Sequence, residues 1–488
     1  MQIPQSRLVA RLQIDNPWWT HSSYDMSQAV PEERRLYFPL FRKLLSGRAT
    51  GRACLLMGPR GAGKTVLARQ IILDLLQEGT DAKRIVYFPL KNPVYFSSSP
   101  KECIAFATEG KCYAPYTKHY LIFDDLQYIQ HWEKELHDVA EANPLSQIIG
   151  ISSVAPLDGP SGKSRTFAKF LLPAINFAEY MHLTQNTDLF DPPERELPGV
   201  SCPSTRNLFA VNRHFINYLR TGGCPEAVFS WEMRRSPENF ARSGILDKIL
   251  LSDVPNLYGI GEIKELNRFF CSLALNNGQE TSQDRLRKDA RLAKNTMRRY
   301  LEYLEDCFLI NRVRRVDENN KEFIRERHFR LFLANPGLYT ALFAVAGDGE
   351  EEQDEAHMAA LVRSAIFSQF GQGRGKEQLR YARWAGGEID CLFFTGARKR
   401  VGSKLGNPAW IASFAWVDDP ESRPDSLQAL SDYRALHNYK GPMLFISRSK
   451  SGPLTTTGGL ELELVPASLF CYGISAQLFE SEPEGSGN

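Results

Sequence analysis

Apolar residues gather in short runs through the first 155 positions. CLLMG (54–58) is followed by PRGAGKT and then by VLARQIILDLL, where Val66, Leu67, Ile71, Leu73, Leu75 and Leu76 recur at roughly helical spacing. RIVYFPL (84–90), HYLIFDD (119–125) and QIIGISS (147–153) read as three further strands. Strands alternating with helical stretches predict a parallel α/β sheet covered on both faces. From about residue 201 the pattern turns helical, and INYLRTGGCPEAV (216–228) is broken by Gly-Gly and Pro. Residues 263–316 hold three helical stretches and then the short strand LINRVRRV. The acidic run GDGEEEQDE (347–355) reads as a solvated loop and a domain boundary. A helix over 357–370 follows, then a hairpin turned at Gly386-Gly387 and strands within PAWIASFAWV and PMLFIS. The resulting segments are an N-terminal extension (1–34), an α/β core (35–200), a helical lid (201–262), a helix-rich module (263–346), a second α/β domain (347–478) and a tail (479–488).

Composition narrows the class. Of 488 residues, 43% are hydrophobic and 24% charged, which excludes a disordered or collagen-like chain. No apolar run is long enough to span a bilayer, and the first 20 residues lack the apolar core of a signal peptide, so a cytoplasmic protein is expected, without a membrane partner. The nine cysteines form no CxxC pair, which argues for reduced thiols rather than zinc or disulfides. The net charge of +2 says nothing until it is resolved along the chain.

Residues Gly58, Pro59, Arg60, Gly61, Ala62, Gly63, Lys64 and Thr65 fit GxxxxGK[ST] at every fixed position, between a strand and a helix that opens with Val66. Glycines let backbone N–H groups curl around phosphates, and the helix turns its positive end toward them. Lys64 supplies charge to the β/γ-phosphates and Thr65 a hydroxyl for Mg²⁺. ATP and Mg²⁺ are therefore the expected cofactors. A carboxylate on a neighbouring strand completes such a site. Asp124 is assigned to Mg²⁺ and Asp125 to the attacking water. Asp125 is one methylene shorter than Glu, which allows slow turnover. Ser152 and Ser153, at the end of the next strand, are candidate γ-phosphate sensors.

Beyond the P-loop the chain resembles a prokaryotic AAA-type P-loop ATPase family that couples the ATPase to a winged helix and a C-terminal restriction-endonuclease-like domain of unknown function. The resemblance rests on Asp124-Asp125-Leu126-Gln127 with Trp132, Gly150-Ile151-Ser152-Ser153, Arg165 with Pro173 to Tyr180, and Gly222-Gly223-Cys224-Pro225-Glu226, in order over about residues 35–450. Asp125 for Glu and the missing Gly before Arg165 depart from the family pattern. The resemblance implies a P-loop sheet, a helical lid, a winged helix and a nuclease-like end, with Arg165 as a γ-phosphate contact.

Residues 285–315 carry ten Lys and Arg against four Asp and Glu, a local +6. Met297, Tyr300, Leu301 and Leu304 mark the core face of one helix. In a winged helix, Lys294, Asn295, Arg298 and Arg299 would face the major groove, with Arg312, Arg314 and Arg315 on the wing against phosphates. The same face would equally serve as a contact with another domain or subunit, and no aromatic interleaving favours single strands.

A restriction-endonuclease-like site needs several carboxylates and a Lys around a metal. Glu355, Glu388 and Asp390 are present, but Trp410 to Trp416 stands where Glu-x-Lys is expected, and Asp418 and Asp419 lie beyond it without a Lys. The segment therefore reads as a degenerate nuclease fold. Three functions follow: an ATPase whose nucleotide state repositions the later domains, on DNA or without it; a slow nucleotide-gated scaffold that assembles with itself or a protein partner; and an active DNA nuclease.

Overall fold

Successive residues of Ala53–Met57 (β1) point to opposite faces of a sheet, and both faces are buried. Leu55 and Met57 join Val86, Phe123, Trp132 and Leu136 in one apolar cluster, while Cys54 and Leu56 join Leu67, Ile71, Ile122 and Ile149 in another. A computed structural model of the chain describes residues 4–20, 30–47, 53–95, 98–110, 113, 117–156, 167–230, 233, 235–323, 328–343, 355–370, 376–396 and 403–480. They fall into two compact units: 1–174 with 247–263 and 306–308, and 175–246 with 264–305 and 309–488.

The first unit is built on β1, Ile85–Pro89 (β2), Tyr120–Asp124 (β3), Gln147–Ser152 (β4) and Phe167–Leu171 (β5), all parallel, in the order β2-β3-β4-β1-β5. Helix Lys64–Gln77 covers one face, and helices Pro100–Glu109 and Trp132–Ala142 the other. The expected parallel α/β sheet is present. β5 gave no apolar run because it is an edge strand, half-exposed at four of five positions. β4 lies between β1 and β3, so the strand carrying Asp124 is not the immediate neighbour of the P-loop strand.

In the second unit Asp191–Leu197 (β6) and Val200–Ser204 (β7) form a separate antiparallel pair, where the sequence suggested no strand. Nine strands make one mixed sheet. They are Glu280–Ser282 (β8), Ile310–Val316 (β9), His328–Leu333 (β10), Leu379–Trp384 (β11), Gly387–Phe393 (β12), Trp410–Phe414 (β13), Met443–Ser447 (β14), Gly452–Thr455 (β15) and Glu461–Pro466 (β16), ordered β15-β16-β14-β13-β12-β11-β9-β10-β8. Helices Glu355–Phe370 and Ala467–Glu480 pack on one face around Trp410, Phe393 and Phe414, and helix Pro424–His437 packs on the other around Ile389, Ile411 and Phe445.

Helix Ile263–Leu275, β8, helices Gln283–Ala290 and Lys294–Asp306, β9 and β10 follow one another in the region read as a helix-rich module. The boundary expected at 346/347 does not divide the sheet, because β9 pairs in parallel with β11 through Arg314↔Arg380 and Arg315↔Tyr381. The acidic run itself lies largely outside the described residues. The lid boundaries shift as well: 247–263 belong with the P-loop sheet, and Ile249–Asp253 is a π-helix. Among the described residues no helix is long and apolar enough to cross a membrane.

Candidate functional site

The loop after β1 is shaped by its glycines. Gly58, Gly61 and Gly63 have φ of +154°, +80° and +88°. A Cβ at Gly58 would stand 2.0 Å from the Leu172 carbonyl oxygen, so only glycine fits. Helix Lys64–Gln77 starts at the left-handed Gly63 with no side-chain cap, leaving its first N–H groups for a ligand in the loop. Pro59 and Ala62 bracket the turn, where Ala62 N–H donates to the Pro59 carbonyl at 3.2 Å, and Val66 is half-buried in the first helical turn.

Lys64 is buried and donates from Nζ to the carbonyls of Gly58 and Pro59, each at 2.8 Å. Burial lowers its pKa to about 8 against the opposing pull of Asp125 and Asp124. Despite the intervening strand, Asp124 reaches the helix: Thr65 Oγ1 donates to Asp124 Oδ2 at 2.8 Å, and Tyr87 donates its hydroxyl to the same oxygen at 2.7 Å. Asp124 Oδ1 is buried and has no hydrogen-bond partner among the described residues. Burial, and then the charge of Asp125, raise the Asp124 pKa to about 6. A buried carboxylate oxygen with no donor, beside a threonine hydroxyl, is a hard-oxygen pair that suits Mg²⁺, whose other ligands are water and phosphate.

Asp125 takes a left-handed backbone, φ +63°. Gln127 donates from Nε2 to Asp125 Oδ1 at 2.7 Å, and its side-chain Oε1 accepts the Ser153 N–H at 3.1 Å. Ser153 thus enters the site through its backbone. Ser152 is fully buried, and its hydroxyl is exchanged with Val154, donating to its carbonyl at 2.8 Å and accepting its N–H at 3.0 Å. It closes a turn at the end of β4. Arg165 lies outside the described residues.

Four partners gave no motif signal. Arg35 is buried and donates to the carbonyls of Ala62 and Pro173, bracing the loop from the N-terminal side. Tyr87, in the middle of β2, reaches Asp124 with its hydroxyl. Arg60 pairs with Asp253, which also accepts the Tyr128 hydroxyl at 2.8 Å. Asp253 arrives from the π-helix nearly two hundred residues along the chain, a placement that local periodicity cannot encode.

In the second unit, Lys294, Asn295, Arg298 and Arg299 are exposed together on helix Lys294–Asp306. Arg298 contacts Glu302 at 3.3 Å, and Arg299 donates to the Tyr303 hydroxyl at 2.9 Å. The proposed wing residues behave differently. Arg312 makes a two-pronged pair with Glu305 and lies over the Phe329 ring. Arg315 faces Glu280 at 3.5 Å and donates to the Arg383 carbonyl. Arg312 and Arg315 lie on opposite faces of β9, and each is half-buried against an acidic partner. Arg314 is the exposed member of the three.

The carboxylates of the nuclease-like motif are held by arginine. Arg330, on β10 and 4% exposed, pairs with Asp390 at 2.9 Å and Glu388 at 2.7 Å and lies over the Tyr381 ring. The other Asp390 oxygen accepts the Phe414 N–H at 2.9 Å. Glu355 pairs with Arg423, Asp418 caps Ser449 and Lys450, and Asp419 caps Glu421. Trp410, stacked on Phe393, is core. Among the described residues no group of three or more His, Cys, Asp or Glu could hold a metal. The donor set here does not fit a catalytic metal, since both Asp390 oxygens and a Glu388 oxygen are occupied.

Residues 50–181 match the model of the AAA domain. This part of the chain is similar to an AAA-type P-loop domain. Residues 212–349 match the model of a domain of unknown function, DUF8612. No curated protein matches the chain. Among solved structures, it is similar to a chain from "Structural Basis for Katanin Self-Assembly" at 16% identity, over 41% of this chain and 70% of that one, with a TM-score of 0.20. It is also similar to a chain from "Structure of Drosophila ORC bound to DNA" at 14% identity, over 63% and 91%, with a TM-score of 0.21. Scores this low carry no argument about partners.

Proposed function

We propose that the chain is a Mg²⁺-dependent ATPase of the cytoplasm whose nucleotide state repositions a winged-helix segment and a degenerate nuclease-like domain, on DNA or without it. The observation that carries the ATPase reading is the pairing of Thr65 with Asp124 Oδ2 while Asp124 Oδ1 is left without a donor. Lys64, the loop N–H groups and the uncapped helix start bind the triphosphate. Thr65 and Asp124 hold Mg²⁺, which neutralises phosphoryl oxygens when bound. Asp125 orients the attacking water, and Gln127 fixes the carboxylate against the end of β4. Magnesium-dependent phosphate release, lost in Lys64→Ala, tests this.

The winged-helix reading draws on the order of helices and strands in 263–333 and on the exposed basic row Lys294, Arg298 and Arg299. DNA contact is assigned to that helix and Arg314, and not to Arg312 or Arg315. The degenerate-nuclease reading draws on Arg330, whose guanidinium stands between the two carboxylates a metal would need.

A second reading, a slow nucleotide-gated scaffold that assembles with itself or a protein partner, is favoured by the short Asp125 side chain pinned by Gln127. Particle size measured with ATP and with ADP separates the two. Nucleotide-dependent growth with slow turnover supports the scaffold, and constant size with fast turnover removes it.

A further inference from the structure

We propose that Arg60 is a γ-phosphate arginine of this site: it pairs with Asp253 in the absence of a nucleoside triphosphate and transfers to the terminal phosphate when one binds, releasing Asp253 and the helical segment that carries it. The proposal rests on the ATPase reading above and deepens it.

Arg60 is the third residue of the loop, directly after the two carbonyls that hold Lys64 Nζ. A cation there flanks the phosphate cradle. Its side chain is 14% exposed and that of Asp253 4%. A buried ion pair carries a desolvation penalty that a well-packed apolar pair avoids, so stability alone does not explain it. A terminal phosphate offers Arg60 more charge and more acceptor oxygens than one carboxylate, in a geometry the guanidinium fork matches. ADP lacks that group, so the exchange discriminates between the two nucleotides. Lys64 also feels the charges of both Arg60 and Asp253, which places the three around one locus.

The segment that would respond is Ile249–Asp253, a π-helix, with the short helix Val254–Tyr258 after it. Widened turns of this kind are frequent at functional sites. Asp253 is also held by the Tyr128 hydroxyl, and Tyr128 sits on the turn Leu126–Tyr128 that carries Gln127. A single turn therefore links the residue that holds Asp125 to the residue that holds Asp253. Release of Asp253 by Arg60 leaves Tyr128 as its remaining partner among those described, and the segment loosens.

The test compares binding of a non-hydrolysable ATP analogue and of ADP, with Mg²⁺, to the full chain and to Arg60→Ala, Arg60→Lys, Asp253→Asn and Tyr128→Phe. Arg60→Ala should weaken the analogue about tenfold or more while moving ADP little. Asp253→Asn, which removes the competing carboxylate and its repulsion of phosphate, should tighten the analogue relative to ADP. Hydrogen exchange over 249–258 should rise with the analogue, stay low with ADP, and start high in Asp253→Asn. Equal weakening of both nucleotides in Arg60→Ala and Asp253→Asn, with exchange unchanged by the analogue, makes the pair a structural tie and overturns this proposal alone. Absence of any nucleotide binding by the unmodified chain overturns the ATPase reading and this proposal with it. Arg60→Lys and Tyr128→Phe preserve charge and packing respectively, so the comparison stands if the harsher variants misfold.

Discussion

Arg330 donates from Nη1 to Asp390 Oδ1 at 2.9 Å, on strands whose residues lie sixty positions apart. Burial alone would raise the Asp390 carboxyl. Arg363 and Arg330, with the Phe414 N–H, outweigh it and hold its pKa below the usual carboxylate value. The charge that a nuclease metal would supply is already present as a guanidinium.

Two outcomes follow for this pair. No DNA form should be cleaved with Mg²⁺ or Mn²⁺, and gel assays check this. Asp390→Asn should destabilise the fold by about 3–5 kcal/mol in denaturant titrations near neutral pH, because Arg330 loses half its compensation. Since the folded carboxyl titrates lower than the unfolded one, its contribution is fully present above the unfolded pKa of 3.8 and is lost as pH falls through the folded value. The gap between the two proteins should therefore close in strong acid.

Gln127 is a positioning residue for Asp125. Gln127→Ala should lower kcat by about tenfold or more, in the range of a displaced general base, while KM for ATP changes by no more than about twofold. An unchanged kcat would remove Gln127 from the account.

Lys64 and Asp124 give nucleotide binding a pH signature. Lys64, lowered to about 8, must be charged to meet phosphate, so binding should take up protons above about pH 8 and weaken as pH rises. Asp124, raised to about 6, must be ionised to meet Mg²⁺, so binding should release protons near pH 6 and weaken as pH falls. Calorimetry in buffers of different ionisation enthalpy reads both signs. Affinity that is flat from about pH 5.5 to 9 contradicts this assignment.

The basic helix face predicts a salt signature. If Lys294 and Arg298 each meet a phosphate, the double alanine variant should lower the slope of log K against log salt by about two. Arg312→Ala should leave the slope unchanged and lower stability instead, because Arg312 is engaged with Glu305 and Phe329. An unchanged slope in the double variant assigns the helix face to a protein contact.

The P-loop, the Asp124–Asp125 pair and the parallel sheet were legible because each is local: a fixed spacing, a strand-end carboxylate, an alternation of buried positions. The pairing of Asp124 with Tyr87 was not, since a tyrosine in the middle of one strand carries no mark of the neighbour it will meet. Asp253 and Arg330 were hidden for the same reason over longer distances. Apolar runs cannot report β5, an edge strand with only Phe167 buried. Nor can they report that β9 and β11 pair, so that strands on either side of the expected boundary lie in one sheet. The absence of Glu-x-Lys was legible in the sequence, but not that Arg330 pairs with Glu388 and Asp390.

The most direct measurement is steady-state phosphate release from ATP by the unmodified chain and by Asp124→Asn, with Mg²⁺ and with the metal chelated. The account predicts hydrolysis that requires Mg²⁺ and is reduced by about a hundredfold or more in Asp124→Asn, with nucleotide still bound. Hydrolysis that survives both chelation and the substitution would contradict it.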